Sequence, residues 1–101
     1  MENIKLKKDK YRRARDGYSR LLKISCERCG NVVALYQKDG PGPLKRMYVD
    51  RIVESYAKAG VNLVCHKCGH VLGIRYIYEK EKRFAFRLFE GSVTKKIIRA
   101  S

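Results

Sequence analysis

The chain has 101 residues, with 24 Lys plus Arg against 10 Asp plus Glu, a formal charge of +14. Hydrophobic residues make up 45% and aromatics 10%, too apolar for a wholly disordered chain and too charged for a membrane span. The length suits one small domain, near the size at which a hydrophobic core needs help from a metal or a cross-link.

Residues 1–17 carry Lys5, Lys7, Lys8, Lys10, Arg12, Arg13 and Arg15 against Glu2, Asp9 and Asp16. With few apolar side chains among them, they read as a basic N-terminal arm, extended or disordered in isolation. No apolar stretch follows the first lysines, so the pattern is not that of a secretory signal, and the expected compartment is the cytoplasm.

Residues 18–25 predict a strand that runs into Cys26-Glu27-Arg28-Cys29-Gly30, and residues 31–37, β-branched and apolar, predict the strand that leaves it. Asp39-Gly40-Pro41-Gly42-Pro43 breaks the chain into a surface turn. Beyond it two periods compete. Leu44, Tyr48, Ile52 and Tyr56 recur every four residues between Pro43 and Gly60, a helical spacing. Arg46-Met47-Tyr48-Val49 alternates as a strand does. The reading adopted is a strand near 44–49 and a short helix near 50–59.

Val61–Val64 enters Cys65-His66-Lys67-Cys68-Gly69, and Val71–Tyr78 leaves it. Glu79–Lys82 is a polar link of hairpin length, and residues 83–89 alternate again. This predicts an antiparallel hairpin with Ile74, Tyr76 and Tyr78 beside Phe84, Phe86 and Leu88 on one buried face. Arg75 and Arg87 would share the opposite face with Ile77 and Phe89. After Gly91, Lys95, Lys96 and Arg99 make residues 91–101 a basic C-terminal tail. The organisation expected is therefore an arm over 1–17, one domain over 18–90, and a tail over 91–101.

The four cysteines form two C-x-x-C-G pairs. In a reducing compartment such pairs read as one metal site rather than as disulfides. Two thiolates spaced by two residues can sit on one tight turn. The glycine permits a positive φ, and the freed amides can donate to sulfur. Two such turns close a tetrahedral shell, so Cys26, Cys29, Cys65 and Cys68 are the expected ligands of one structural Zn2+. The same shell suits a single iron in an electron carrier of the rubredoxin kind, which the strongly basic charge fits less well. His66 and His70 flank the second pair. With four sulfurs filling the shell, they are expected as supporting or surface residues.

An ion of charge +2 on four thiolates changes the total by −2, to about +12. A compact domain with that excess repels itself, and a polyanion relieves the repulsion while releasing counterions. Arg and Tyr interleave at Tyr11-Arg12-Arg13, Tyr18-Ser19-Arg20, Arg46-Met47-Tyr48 and Arg75-Tyr76. Arginine supplies forks for phosphate and tyrosine supplies faces for unstacked bases, which points to RNA. The candidate contacts are the seven basic residues of the arm, then Arg20, Lys45, Arg46 and Arg75, then Lys95, Lys96 and Arg99. No amphipathic stretch suits a membrane surface. No G-x-S-x-G, Walker loop or H-E-x-x-H is present, and a closed shell leaves no position for a substrate, so no enzymatic activity and no small-molecule substrate are expected.

The two knuckles, Cys26-x-x-Cys29-Gly30 and Cys65-x-x-Cys68-Gly69, each between strands, resemble the zinc-ribbon superfamily over roughly residues 20–90. The resemblance implies a small, mostly-β fold with two zinc knuckles on antiparallel β-hairpins, with room for one short helix and basic terminal extensions. Small size, high charge and a metal-held kernel are similar to ribosomal proteins of this type. That likeness implies a structural role on ribosomal RNA. Transcription-factor zinc ribbons share the knuckles, which implies as the alternative a regulatory adaptor at DNA or at an RNA polymerase.

Overall fold

The structure, a computed structural model, describes residues 19–40 and 43–98. The basic arm and Arg99 lie outside the described residues. In chain order the elements are β1 (Ser19–Cys26), β2 (Val32–Asp39), β3 (Arg46–Tyr48), a 3-10 turn over Val49–Arg51, β4 (Ile52–Ser55), β5 (Lys58–Ala59), β6 (Asn62–Val64), β7 (Val71–Tyr78), β8 (Arg83–Leu88) and β9 (Val93–Ile98). They form two sheets, ordered β4-β2-β1-β9 and β3-β8-β7-β6-β5. Every pairing is antiparallel. Leu22, Ile24, Val33 and Tyr36 of the first sheet meet Met47, Leu63, Leu72 and Phe86 of the second in one core. Each side chain of this size contributes about 1.5–3 kcal/mol when fully buried.

The hairpins β1–β2 and β6–β7 are copies of one another in register as well as in motif. In the first, Ile24 faces Ala34, and a bulge then shifts Ser25 onto Val32. In the second, Leu63 faces Gly73, and a bulge shifts Val64 onto Val71. Position by position, Ile24 corresponds to Leu63, Cys26 to Cys65, Val33 to Leu72 and Ala34 to Gly73. The burial repeats too: Val33 and Leu72 are both fully buried, as are Cys26 and Cys65. The bulge turns the strand ends toward the knuckle, as an extra residue in one strand does elsewhere.

The expected helix over 50–59 is not formed. A single 3-10 turn gives way to β4 and β5. Consecutive residues of that turn are claimed by different neighbours, which a continuing helix could not satisfy. Asp50 accepts from the Arg83 guanidinium at 2.7 Å. The Arg51 Nε donates to Asp39 at 2.8 Å, and Asp39 also accepts from Gln37 at 3.0 Å. The β-branched Ile52 and Val53 suit the extended chain that follows. The four-residue spacing marks no single face: Tyr48 is buried, Leu44 and Ile52 are half-buried, and Tyr56 is exposed.

Two further expectations are corrected. Val93–Ile98, read as tail, forms β9 and pairs with β1 along six positions. The β7–β8 hairpin forms as read, but its register places Arg75 opposite Phe86 and Ile74 opposite Arg87. Phe84 and Phe86 therefore share a face with Arg75 and Ile77, while Ile74, Tyr76 and Tyr78 share the other with Arg83, Ala85 and Arg87. Arg75 and Arg87 lie on opposite faces. A polar link of four residues leaves this register open, and a shift by one residue exchanges the faces.

Gly73 packs where a methyl cannot. A Cβ there would lie 2.6 Å from the Arg87 carbonyl oxygen and 3.3 Å from Leu88 Cα, both backbone. Gly73→Ala is expected to lower stability by about 2 kcal/mol in urea denaturation, since β8 must move away. Its counterpart Ala34 carries that methyl, so Ala34→Gly should cost only about 1 kcal/mol.

Candidate metal centre

Each cysteine pair sits on the tip of one of the matched hairpins, held by the same backbone bonds. The Cys26 N–H donates to the Asn31 carbonyl at 2.9 Å, and the Gly30 N–H donates to the Cys26 carbonyl at 2.8 Å. In the second knuckle Cys65 donates to His70 at 2.9 Å and Gly69 to Cys65 at 3.0 Å. Gly30 and Gly69 hold φ at +78° and +75°, a conformation that favours glycine. The duplicated C-x-x-C-G thus becomes two superposable turns.

The two turns face each other, and all four sulfurs lie within 4.8 Å of one another. Cys26 Sγ is 3.7 Å from Cys68 Sγ, and Cys29 Sγ is 3.6 Å from Cys65 Sγ. A tetrahedron of sulfurs with metal–sulfur bonds of about 2.3 Å has edges of about 3.8 Å. The spacing is therefore that of a shell around one metal ion. The four thiols are free of disulfides. In each pair the first cysteine is buried and the second exposed, so each close contact joins an inner sulfur of one hairpin to an outer sulfur of the other.

Polar groups around the sulfurs separate their acidities. The Asn31 side-chain amide donates to Cys29 Sγ at 3.3 Å. That bond, reinforced by the Asn31 backbone N–H, lowers the Cys29 thiol to about 6. At Cys68 the His70 backbone N–H lowers the pKa, but desolvation and hydrogen bonding with the three other thiols outweigh it and raise the thiol to about 11. Asn31 thus favours the thiolate at Cys29, while Cys68 gives up a proton when it ligates.

Neither histidine belongs to the sulfur cluster. The His66 ring lies against Tyr56, with centroids 6.4 Å apart. Ser92, which carried no signal in the sequence, braces the centre. Its carbonyl accepts from the Glu27 N–H at 3.0 Å, and its hydroxyl donates to the Leu72 carbonyl at 2.8 Å. This buried serine before β9 ties the first knuckle to the second hairpin.

The basic residues singled out within the described segments do not converge on one patch. Arg20 is exposed on β1, Arg75 on β7, and Lys95 and Lys96 on β9. Lys45 and Arg46 line a cavity of about 440 Å³ with Lys38, Arg51 and Asp39. Arg87, placed on the wrong face by the hairpin reading, lies directly opposite Arg46 across β3 and β8. Among the described residues no helix is long and apolar enough to cross a membrane. Comparison with protein-family models, curated proteins and solved structures finds no match for the chain.

The exposed ligands allow a clean test. Cys29→Ser and Cys68→Ser are expected to abolish stoichiometric metal binding, measured on purified protein, and to remove the drop in melting temperature that a chelator causes in the wild type. Protons compete with the ion for sulfur, so metal retention should fall as pH falls. In chelator competition the wild type's retention of its ion should fall as pH falls, more steeply below about 6, the value to which the metal-free Cys29 thiol is lowered.

Proposed function

We propose that the chain is a zinc-stabilised RNA-binding protein of the zinc-ribbon type, structural rather than enzymatic, working in the cytoplasm as a component of a ribosomal particle. The observation that carries this reading is the closed set of four sulfurs between two matched hairpins in a chain of charge +14. A shell of four cysteines is the usual structural zinc geometry and offers no open position for water or substrate. Zinc bound there would supply no chemistry beyond holding the two hairpins together. The cationic excess supplies the affinity: Lys95, Lys96, Arg20, Arg75, Lys45 and Arg46 lie among the described residues, and further lysines and arginines stand at positions 5–15 of the sequence. Phosphate contacts of this kind position a protein on its polyanion without reading a base sequence.

The reading predicts steep salt dependence. With about five phosphates neutralised, affinity for RNA should fall about a hundredfold between about 50 and 200 mM salt. Binding that ignores salt would overturn it. Sedimentation of cell extract should place the protein with ribosomal particles and release it after ribonuclease. Co-sedimentation with a polymerase, unchanged by ribonuclease, would favour the transcription-type adaptor. A coloured, iron-containing protein would favour the electron carrier.

A further inference from the structure

The second sheet carries a layer that the metal site does not use. On the face shared by Ile74, Tyr76 and Tyr78, each of three arginines lies against a tyrosine ring. The Arg46 guanidinium carbon sits 4.2 Å from the Tyr78 ring centroid, that of Arg87 sits 4.8 Å from Tyr76, and that of Arg83 sits 3.7 Å from Tyr48. Tyr48 and Tyr76 flank Ala85, the residue opposite both, and Ala85 is fully buried between them.

The three arginines are not equivalent. Arg83 is buried and bonded to Asp50 and Glu81 at 2.7 Å each, so it is committed to the fold. Arg87 is exposed and Arg46 half-buried, and among the described residues neither has a carboxylate partner. They are directly opposed in register, a placement in which like charges repel. The fold therefore keeps two guanidinium groups on one face, each held against a tyrosine ring and neither with a carboxylate partner among the described residues. An anion laid across them relieves that repulsion. A guanidinium resting on an aromatic ring is also a planar surface on which another ring can stack, and its edges still donate to phosphate.

The geometry points to this face as a stacking surface for the unpaired bases of single-stranded RNA, with Arg46 and Arg87 as the plates and Tyr76 and Tyr78 as their backing. The inference rests on the RNA-binding reading above and adds to it the surface and the form of RNA. A duplex keeps its bases inside and offers these plates only phosphate.

The test uses the metal-loaded full chain and a single-stranded RNA of about 12 nucleotides, with the duplex of the same sequence beside it. Arg87→Lys keeps the charge and removes the plane. It should weaken single-strand binding about tenfold with the salt slope unchanged, and leave duplex binding within about twofold. Tyr76→Leu, removing the backing, should do the same, and metal content reports whether each variant is folded. Lys95→Ala should instead weaken both forms and flatten the slope. Single-strand affinity of Arg87→Lys within about twofold of wild type, or an equal loss on the duplex, overturns the stacking surface and leaves RNA binding standing. Wild-type protein that binds neither form overturns both.

Discussion

Four sulfurs from two hairpins meet at one point, and the rest of the molecule is arranged so that they can. Neither hairpin can complete the shell alone, because each contributes one inner and one outer sulfur. The bulges, the positive-φ glycines and the repeated backbone bonds exist in duplicate because the geometry demands the same turn twice. A divalent ion in that position would replace weak thiol contacts with four bonds and close a long loop between the pairs, a large constraint on the unfolded chain.

The same structure sorts a large cationic excess into two classes. Arg51 and Arg83 are buried against carboxylates and fasten the 3-10 turn to both sheets. Arg51 and Asp39 are both buried, and removing one member of such a pair typically costs about 3–5 kcal/mol, because the other charge is left without compensation. These arginines are committed to the fold. Lys95 and Lys96 of β9, with Arg46 and Arg87 on the second sheet, have no carboxylate partner among the described residues. Net charge alone therefore overstates what a polyanion can touch, and the distribution matters more than the total.

The sulfur site was legible because its signal is local. Cysteine, two residues, cysteine and glycine specify a turn almost irrespective of surroundings, and the β-branched segments on either side could hardly be anything but strands. The β7–β8 hairpin was legible as an element for the same reason. Its register was not, since alternation identifies two faces without saying which face of one strand joins which of the next. That single ambiguity put Arg75 and Arg87 together and hid the pairing of Arg46 with Arg87. The segment 44–59 misled differently. Its apolar spacing imitates a helix, whereas the deciding contacts, Asp50 to Arg83 and Arg51 to Asp39, reach across 33 and 12 residues and leave no local trace. The fate of residues 93–98 was likewise decided at a distance, by an open edge on β1.

The way the chain passes between its two sheets has a mechanical result. After β2 it lends β3 to the other sheet, returns for β4, crosses again for β5 through β8, and comes home as β9. No single cut divides the fold into independent pieces, since any fragment would strand an edge belonging to its neighbour. Thermal melting should thus proceed as one concerted event, and a nicked polypeptide would stay clasped as a two-piece complex.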